Sequence, residues 1–447
     1  MEKRLYVETW GCQMNRHQSE GVAGVLCRAG YRLTDALAEA DVVIFNGCMV
    51  RQKAEGKVYG RIGAVVEEKR RRNVLLGVGG CIGEVRGGSL LDRFSAVDFV
   101  FGVGGHDALP ELIERARSDR ERPVEIGRRE GIDEVPSVRS GSVTAMVTIT
   151  EGCSNACAYC IVPRARGPMR SRAPERILAE VEEAVAAGFR EVVLLGQNVN
   201  SFGRDRPEFG DFVSLLGRVA AIEPDRVRFT SSHPRDLPAE LLEAIASTEN
   251  LCPHLHVACQ SGSDGILRAM NRGYTRNAFL ALVERARATV PGINVTTDLI
   301  VGFPGETEAD FAASMDLVER CRFGSIFVAK YSPRPGTQSA CLTDDVPENE
   351  KQRRLRVVLD RQRKIALEEN ERLVGRDVEV LLEGETRSGA WYGRAADHRT
   401  VVVREETSGS LGEGDLVPVR VEAASSASLS GAARLATASG ASVKGRP

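Results

Sequence analysis

Thr144-Ala145-Met146-Val147-Thr148-Ile149-Thr150-Glu151-Gly152-Cys153-Ser154-Asn155-Ala156-Cys157-Ala158-Tyr159-Cys160 reads as a short apolar strand that runs straight into a loop with three cysteines. The spacing is C-x3-C-x2-C. With 11 cysteines in 447 residues, chance places this pattern about 0.007 times in such a chain. Three thiolates on one loop can ligate three irons of a 4Fe–4S cube and leave the fourth open to a small molecule. Zinc is the competing reading, but a closed structural zinc site takes four ligands. The nearest histidines in sequence are His106 and His233. Three buried core cysteines are the bland alternative. The loop follows a strand, and sites on barrels and open α/β sheets gather at the carboxyl ends of strands.

Outward from this stretch the chain alternates strands and helices, so the fold class is α/β. Toward the C-terminus, candidate strands are Thr144–Thr150, Glu191–Leu195, Val227–Thr230, His254–Ala258, Ile293–Val301 and Ser325–Tyr331. Helical segments lie between them. This predicts a partial (β/α)6 barrel over residues 139–373, because eightfold closure needs more chain. Toward the N-terminus, Leu5–Trp10, Asp41–Phe45, Val74–Val78 and Val97–Phe101 read as strands, which predicts an open parallel α/β sheet over residues 1–117. Residues 118–138 are charged and punctuated by Pro and Gly, as a linker would be. A helix from about Glu350 to Leu373 closes the barrel; Lys351–Arg372 holds eight Lys/Arg against four Asp/Glu. It reads equally as a solvated linker helix and as one that faces RNA. Four short β-type runs then predict a small antiparallel barrel of OB type over residues 374–422. Residues 423–447, mostly Ala, Ser and Gly, read as a disordered tail.

Composition narrows the classes. Sixty Lys+Arg against 62 Asp+Glu give a net charge of −2, which argues against a chain that coats nucleic acid nonspecifically. No apolar run approaches the roughly 20 residues of a membrane span. Met1–Leu5 lacks the apolar core of a signal peptide. A cytoplasmic protein with no membrane association is expected, and its cysteines then read as metal ligands or catalytic thiols.

Three more cysteines share a position in the fold. Cys12, Cys48 and Cys81 each follow a predicted strand of the N-terminal sheet, and Gly11, Gly47 and Gly80 immediately precede them. Neighbouring parallel strands lie about 4.8 Å apart, so these tips can converge on one cluster. Scattered core cysteines are the alternative. Cys27, Cys252, Cys259, Cys321 and Cys341 show no shared spacing and read mostly as small buried hydrophobes.

The Cys153–Cys160 spacing after the first strand of a βα series resembles the radical S-adenosylmethionine (radical SAM) enzymes. Leu194-Leu195-Gly196-Gln197-Asn198 and Gly302-Phe303-Pro304-Gly305-Glu306 extend the match. Thr9–Asn15, Asn46–Arg51 and Gly79-Gly80-Cys81 resemble the N-terminal domain of the methylthiotransferases. Cys153 through Arg166-Gly167, His256–Ser263 with Gln260 and Ser261, and Tyr331–Thr337 continue it, and the C-terminal module resembles their TRAM domain. The Gly-Cys-Gln-Met-Asn string is similar to the type that acts on tRNA. Gly47 departs from the usual Thr, and Ala258-Cys259 from a more apolar pair.

This resemblance implies a sulfur-group transferase with two 4Fe–4S clusters that consumes two SAM molecules per product. Cys153, Cys157 and Cys160 would hold the cluster that generates a 5′-deoxyadenosyl radical, and Cys12, Cys48 and Cys81 the cluster that delivers methylated sulfur. Gly196, Gln197, Asn198, Arg166, Gln260 and Ser261 would bind SAM. The substrate implied is N6-isopentenyladenosine beside the anticodon in a tRNA anticodon stem-loop, converted to its 2-methylthio derivative. Threonylcarbamoyl adenosine in tRNA, or a ribosomal protein side chain, is the alternative. A low-potential electron donor such as flavodoxin or ferredoxin, and a monomeric state, are implied with it. Arg and Lys of the last barrel and the closing helix would touch phosphates, and Trp391 or Tyr392 could stack on a base.

Overall fold

A computed structural model describes residues 3–50, 52–118, 121–127, 138–139, 141–404 and 411–434. The N-terminal unit begins with Lys3–Trp10 (β1), Gln13–Arg28 (α1), Tyr31–Leu33 (β2) and Val42–Gly47 (β3). Gln52–Arg71 (α2), Leu75–Gly79 (β4), Cys81–Arg86 (α3), Ser89–Arg93 (α4), Phe99–Phe101 (β5), Leu109–Ser118 (α5) and Val124–Glu125 (β6) complete it. All six strands are parallel, in the order β2-β1-β3-β4-β5-β6. Every residue of β3 is buried, as a central parallel strand covered on both faces must be. Val43 and Phe45 pack on one face with Val58 and Ile62 of α2, whereas Val42 and Ile44 pack on the other with Val22 of α1 and Leu112 of α5. The edge strands β2 and β6 differ from expectation. Two or three residues carry too little periodicity to read, and β6 falls inside the stretch read as linker. Most of that stretch, residues 119–120 and 128–137, lies outside the described residues.

The next unit begins with Thr144–Thr148 (β7), Thr150–Glu151 (β8), Val162–Arg166 (α6) and Arg170–Ser171 (β9). Pro174–Ala186 (α7), Glu191–Leu195 (β10), Phe212–Ala220 (α8), Arg226–Phe229 (β11), Ala239–Ser247 (α9) and His254–His256 (β12) follow. Asp264–Ala269 (α10), Arg276–Thr289 (α11), Asn294–Val301 (β13), Glu308–Cys321 (α12), Ser325–Lys330 (β14) and Glu348–Glu371 (α13) end it. Strands β11-β10-β7 and β12-β13-β14 form two parallel sets, and the single bridges Val227↔Leu251 and Ser232↔Val257 join them. The result is a six-stranded partial barrel with one apolar core. Cys252, Cys259 and Cys321 are buried, and Cys259 and Cys321 belong to that core.

Helix α13 lies along β14, and its cations are largely paired within the chain. Arg354 meets Glu306 at 2.7 Å, Lys351 meets Asp344 at 2.6 Å, Arg353 meets Glu308 at 2.6 Å, and Arg361 meets Glu319. These pairs make it a brace across the barrel.

The C-terminal unit is a closed five-stranded barrel of Asp377–Glu385 (β15), Trp391–Ala395 (β16), Thr400–Arg404 (β17), Leu416–Ala424 (β18) and Leu429–Ala433 (β19), in the order β15-β16-β17-β19-β18. This corrects the expected boundary at residue 422. The segment read as a tail supplies β19, which sits between β17 and β18 and closes the sheet. Leu-Ser-Gly-Ala-Ala reads as low complexity alone; inside the barrel, small residues suit a tight closure, and a Cβ at Gly431 would overlap the Arg420 carbonyl. Residues 435–447 lie outside the described residues. Loop 395–398 docks on the amino ends of the large barrel's strands. Arg228 donates to the carbonyls of Ala396 (2.8 Å) and Ala395 (3.0 Å), Asn294 donates to that of Asp397 (2.8 Å), and the rings of His254 and His398 lie 4.7 Å apart.

Candidate cluster-binding sites

Strands β1, β3 and β4 are neighbours, so their carboxyl ends present Cys12, Cys48 and Cys81 side by side. Cys12 accepts the first backbone bonds of α1 from Asn15 and Arg16, and Cys48 N donates to Trp10 O at 2.9 Å. The preceding glycines leave the room this needs. A Cβ at Gly11 would fall 2.6 Å from that of Cys48, and one at Gly80 would overlap Asn46 Oδ1. A Cβ at Gly47 would lie 2.7 Å from Ile82 Cγ2, so the missing Thr at this position goes with the bulk of Ile82. Burial raises the Cys81 thiol, and the Arg166 guanidinium beside it opposes that rise. A buried thiol next to a fixed cation is disposed to bind metal as thiolate.

The Cys153–Cys160 loop is clamped at its base, where β8 and β9 pair Thr150 with Ser171 and Glu151 with Arg170. Cys153 N donates to Gly167 O at 2.9 Å, and Ala158 N donates to Met270 O at 3.0 Å. Burial pushes the Cys160 thiol up to about 12 and raises Cys153. Ile161 and Ala165 enter the core of the N-terminal unit, so the loop is wedged between the two units. Among the described residues no three His, Cys, Asp or Glu side chains close on a point that would hold one ion. A cube gives each thiolate its own iron, so its ligands stand farther apart than those of a single ion.

The comparisons with known proteins join these features. The Radical SAM superfamily matches residues 147–318, the uncharacterized protein family UPF0004 residues 4–102, and the TRAM domain residues 371–433. A tRNA-2-methylthio-N(6)-dimethylallyladenosine synthase of Frankia casuarinae is 46% identical over 93% of this chain and 79% of its own length. That of Desulfosudis oleivorans is 42% identical over 96% and 97%. The chain belongs to the tRNA-2-methylthio-N(6)-dimethylallyladenosine synthase family. As a radical SAM member it uses a 4Fe–4S cluster and S-adenosylmethionine. The radical SAM methyltransferase TsrM of Kitasatospora setae shares the fold, with a TM-score of 0.57, 15% identity, and 76% of this chain and 75% of that chain covered. No helix among the described residues is long and apolar enough to cross a membrane.

In this family member the carboxyl end of the large barrel holds polar groups that the chain leaves unpartnered. Thr150 Oγ1, Gln197 Nε2, both amide atoms of Asn200, Ser232 Oγ and Gln260 Oε1 are buried without a hydrogen bond. They follow β7, β10, β11 and β12, so all belong to the carboxyl end of the barrel. Buried orphans are rare in folded chains, and this set fits a polar ligand such as SAM. Gln197 and Gln260, which the sequence reading assigns to SAM, are among these unpartnered groups. Gln197 also accepts from Gly152 N, and Gln260 takes a positive φ of 63°. A Cβ at Gly196 would overlap Thr150 Oγ1.

Three other expected ligand contacts are engaged within the chain. Asn198 Nδ2 donates to Asp236 Oδ2 (2.7 Å) and Ser201 Oγ (2.6 Å), and its Oδ1 accepts from His233 N. The Ser261 hydroxyl accepts from Ser263 N at 3.2 Å and meets Ser314 Oγ on α12. Arg166 lies beside Cys81 and Cys12. It donates to Glu151 Oε1 at 3.2 Å and Gln18 Oε1 at 3.4 Å, beside Cys81. Asp236 accepts from Asn155, Asn198 and Arg204. Burial opposes its ionisation, but hydrogen bonds from Arg204, Asn155 and Asn198 outweigh that and bring the carboxyl to about 2.

Sequence reasoning missed Arg272. It donates from Nη1 to Cys157 Sγ at 3.2 Å, from Nη2 to Ala258 O at 2.8 Å, and from Nε to Tyr274 Oη at 3.2 Å. Its only signal in the sequence is Asn271-Arg272-Gly273, a turn with positive φ on both sides of the arginine.

Proposed function

We propose that this chain is a tRNA methylthiotransferase that converts N6-isopentenyladenosine beside the anticodon to its 2-methylthio derivative. Membership of the synthase family carries this reading. The two cysteine trios, one after the strand ends of each α/β unit, support it. Cys153, Cys157 and Cys160 would hold the radical-generating cluster, and Cys12, Cys48 and Cys81 the second cluster. When bound, these groups and SAM supply a primary carbon radical and a methylated sulfur, which ordinary acid–base chemistry cannot provide at an unactivated C–H bond.

The chain's own residues orient and enclose. The β8–β9 clamp fixes the loop entry. Arg166 ties Glu151, two residues before Cys153, to Gln18 of α1 and so sets the register of the trios. Gln197 and Gln260 offer unpartnered amide atoms to SAM, while Asn198 positions through Asp236. The small barrel would contact anticodon-stem phosphates through its arginines. The activity belongs to the cytoplasm, where tRNA and a low-potential donor such as flavodoxin or ferredoxin occur, and the chain acts as a monomer.

Mass spectrometry of bulk tRNA nucleosides from a strain without this protein tests the reading; the 2-methylthio derivative should vanish and the isopentenyl precursor accumulate. In complementation, Cys157→Ala should yield no 5′-deoxyadenosine, whereas Cys48→Ala should still cleave SAM yet insert no sulfur. Full methylthiolation by Cys48→Ala would overturn the assignment of that trio.

A further inference from the structure

We infer that Arg272 tunes the radical-generating loop: its guanidinium donates to Cys157 Sγ and thereby raises the reduction potential of the cluster that the loop holds. The inference rests on the assignment of Cys153, Cys157 and Cys160 as the ligands of that cluster.

The argument starts from charge. Arg272 is 4% exposed, so its guanidinium sits in a medium where an uncompensated cation is costly. Among the described residues no carboxylate forms an ion pair with it. Its three acceptors are a carbonyl, a phenol and the Cys157 sulfur, and of these the sulfur is the atom that becomes anionic when it ligates metal. The geometry is therefore that of a buried cation built to face a thiolate. Two features hold it there. Asn271 and Gly273 take positive φ values of 56° and 69°, which turn the backbone so that the side chain re-enters the barrel. Ala158 N, next to Cys157, donates to the carbonyl of Met270, and Asn271 Nδ2 donates to Ala156 O at 2.8 Å, which ties the arginine's own loop to both sides of that cysteine. Together with burial, the same cation brings the neighbouring His233 down to about 3, so the imidazole stays neutral.

Hydrogen bonds to ligand sulfurs and positive charge nearby both favour the reduced, more negative form of an iron–sulfur cluster. Arg272 supplies both to one thiolate of the trio. It acts through Cys157, so it is a positioning residue.

The test uses the full chain with Cys12, Cys48 and Cys81 each changed to Ala, reconstituted anaerobically with iron and sulfide, so that one cluster gives the signal. Pulsed EPR of the dithionite-reduced protein labelled with 15N-arginine should show a coupling to one arginine nitrogen, and Arg272→Lys should remove it. In an EPR-monitored redox titration, Arg272→Met should shift the midpoint to more negative potential. No arginine coupling in the parent, a coupling that survives Arg272→Lys, or a midpoint in Arg272→Met at or above the parent's would overturn the inference. Should Arg272→Met hold no iron, the labelled parent still decides. A parent with no reduced-cluster signal at all would instead overturn the assignment of the trio.

Discussion

A single residue conformation sets the entry to the cysteine loop. Gly152 has φ +79°, and a Cβ there would overlap the Pro168 carbonyl oxygen and lie 2.6 Å from that of Gly167. Both contacts are with backbone, and Gly167 is itself tied to Cys153 and Pro163 by backbone hydrogen bonds, so neither can yield cheaply. Gly152→Ala should cost about 1–3 kcal/mol locally. Because Cys153 is the next residue, the variant should also retain less iron after anaerobic reconstitution, as measured by iron and sulfide content. Unchanged iron content would show that the loop tolerates a different entry. Asp236 works at the same scale. Its carboxylate serves Asn155 of the cysteine loop and Asn198 of the strand end together, so one side chain keeps two segments in register.

At the scale of elements, the barrel depends on a brace that is remote in sequence. Glu306 closes the turn after β13 by accepting from Gly302 N at 2.6 Å, and Arg354 of α13 pairs with the same oxygen. The Glu306 side chain is fully buried and that of Arg354 nearly so. Burial raises the Glu306 carboxyl above its ordinary value despite the arginine. Arg354→Ala should therefore destabilise by about 3–5 kcal/mol, because a buried carboxyl group loses its partner. A urea midpoint measured with Arg354→Ala, and recovery in the Glu306→Gln, Arg354→Met double variant, checks this. A single variant as stable as the parent would mean that water reaches Glu306. The role of α13 follows from the same pairs: Arg353, Arg354 and Arg361 pair with acids of α12 and of the turn that precedes it, and Lys351 with Asp344.

For the whole molecule, the two barrels meet through buried imidazoles. Burial, with Arg228 and Arg394, lowers the His398 imidazole to about 3, and burial with His398 and Arg228 lowers that of His254. His256, Glu191, Glu383 and Asp397 also face this junction. Both histidines bind protons more weakly when folded than their ordinary value near 6.5 allows when unfolded. The unfolded state then holds more protons between about pH 6.5 and 3, so docking is strongest above pH 6.5 and weakens as the pH falls through that window. Melting temperature should decline from pH 7 to 4.5, and less steeply in His398→Asn, which keeps a residue tolerant of the positive φ of 73°. Equal slopes for parent and variant would place the acid sensitivity elsewhere.

The strands, the alternation that makes two α/β units, and the place of the six motif cysteines after strand ends were legible in the amino-acid order, because period-2 burial, turn glycines and thiol spacing are local properties. The motifs that single out Gln197 and Gln260 lie at strand ends and are local in the same way. Tertiary structure alone decided where Arg166 and Arg272 point, that Asn198 and Ser261 are engaged within the chain, and that Leu429–Ala433 closes the last barrel. Each of these depends on partners tens to hundreds of residues away. Charge compensation in a buried site and the last seat in a closed sheet are set by what surrounds a residue in space, which no window of sequence contains.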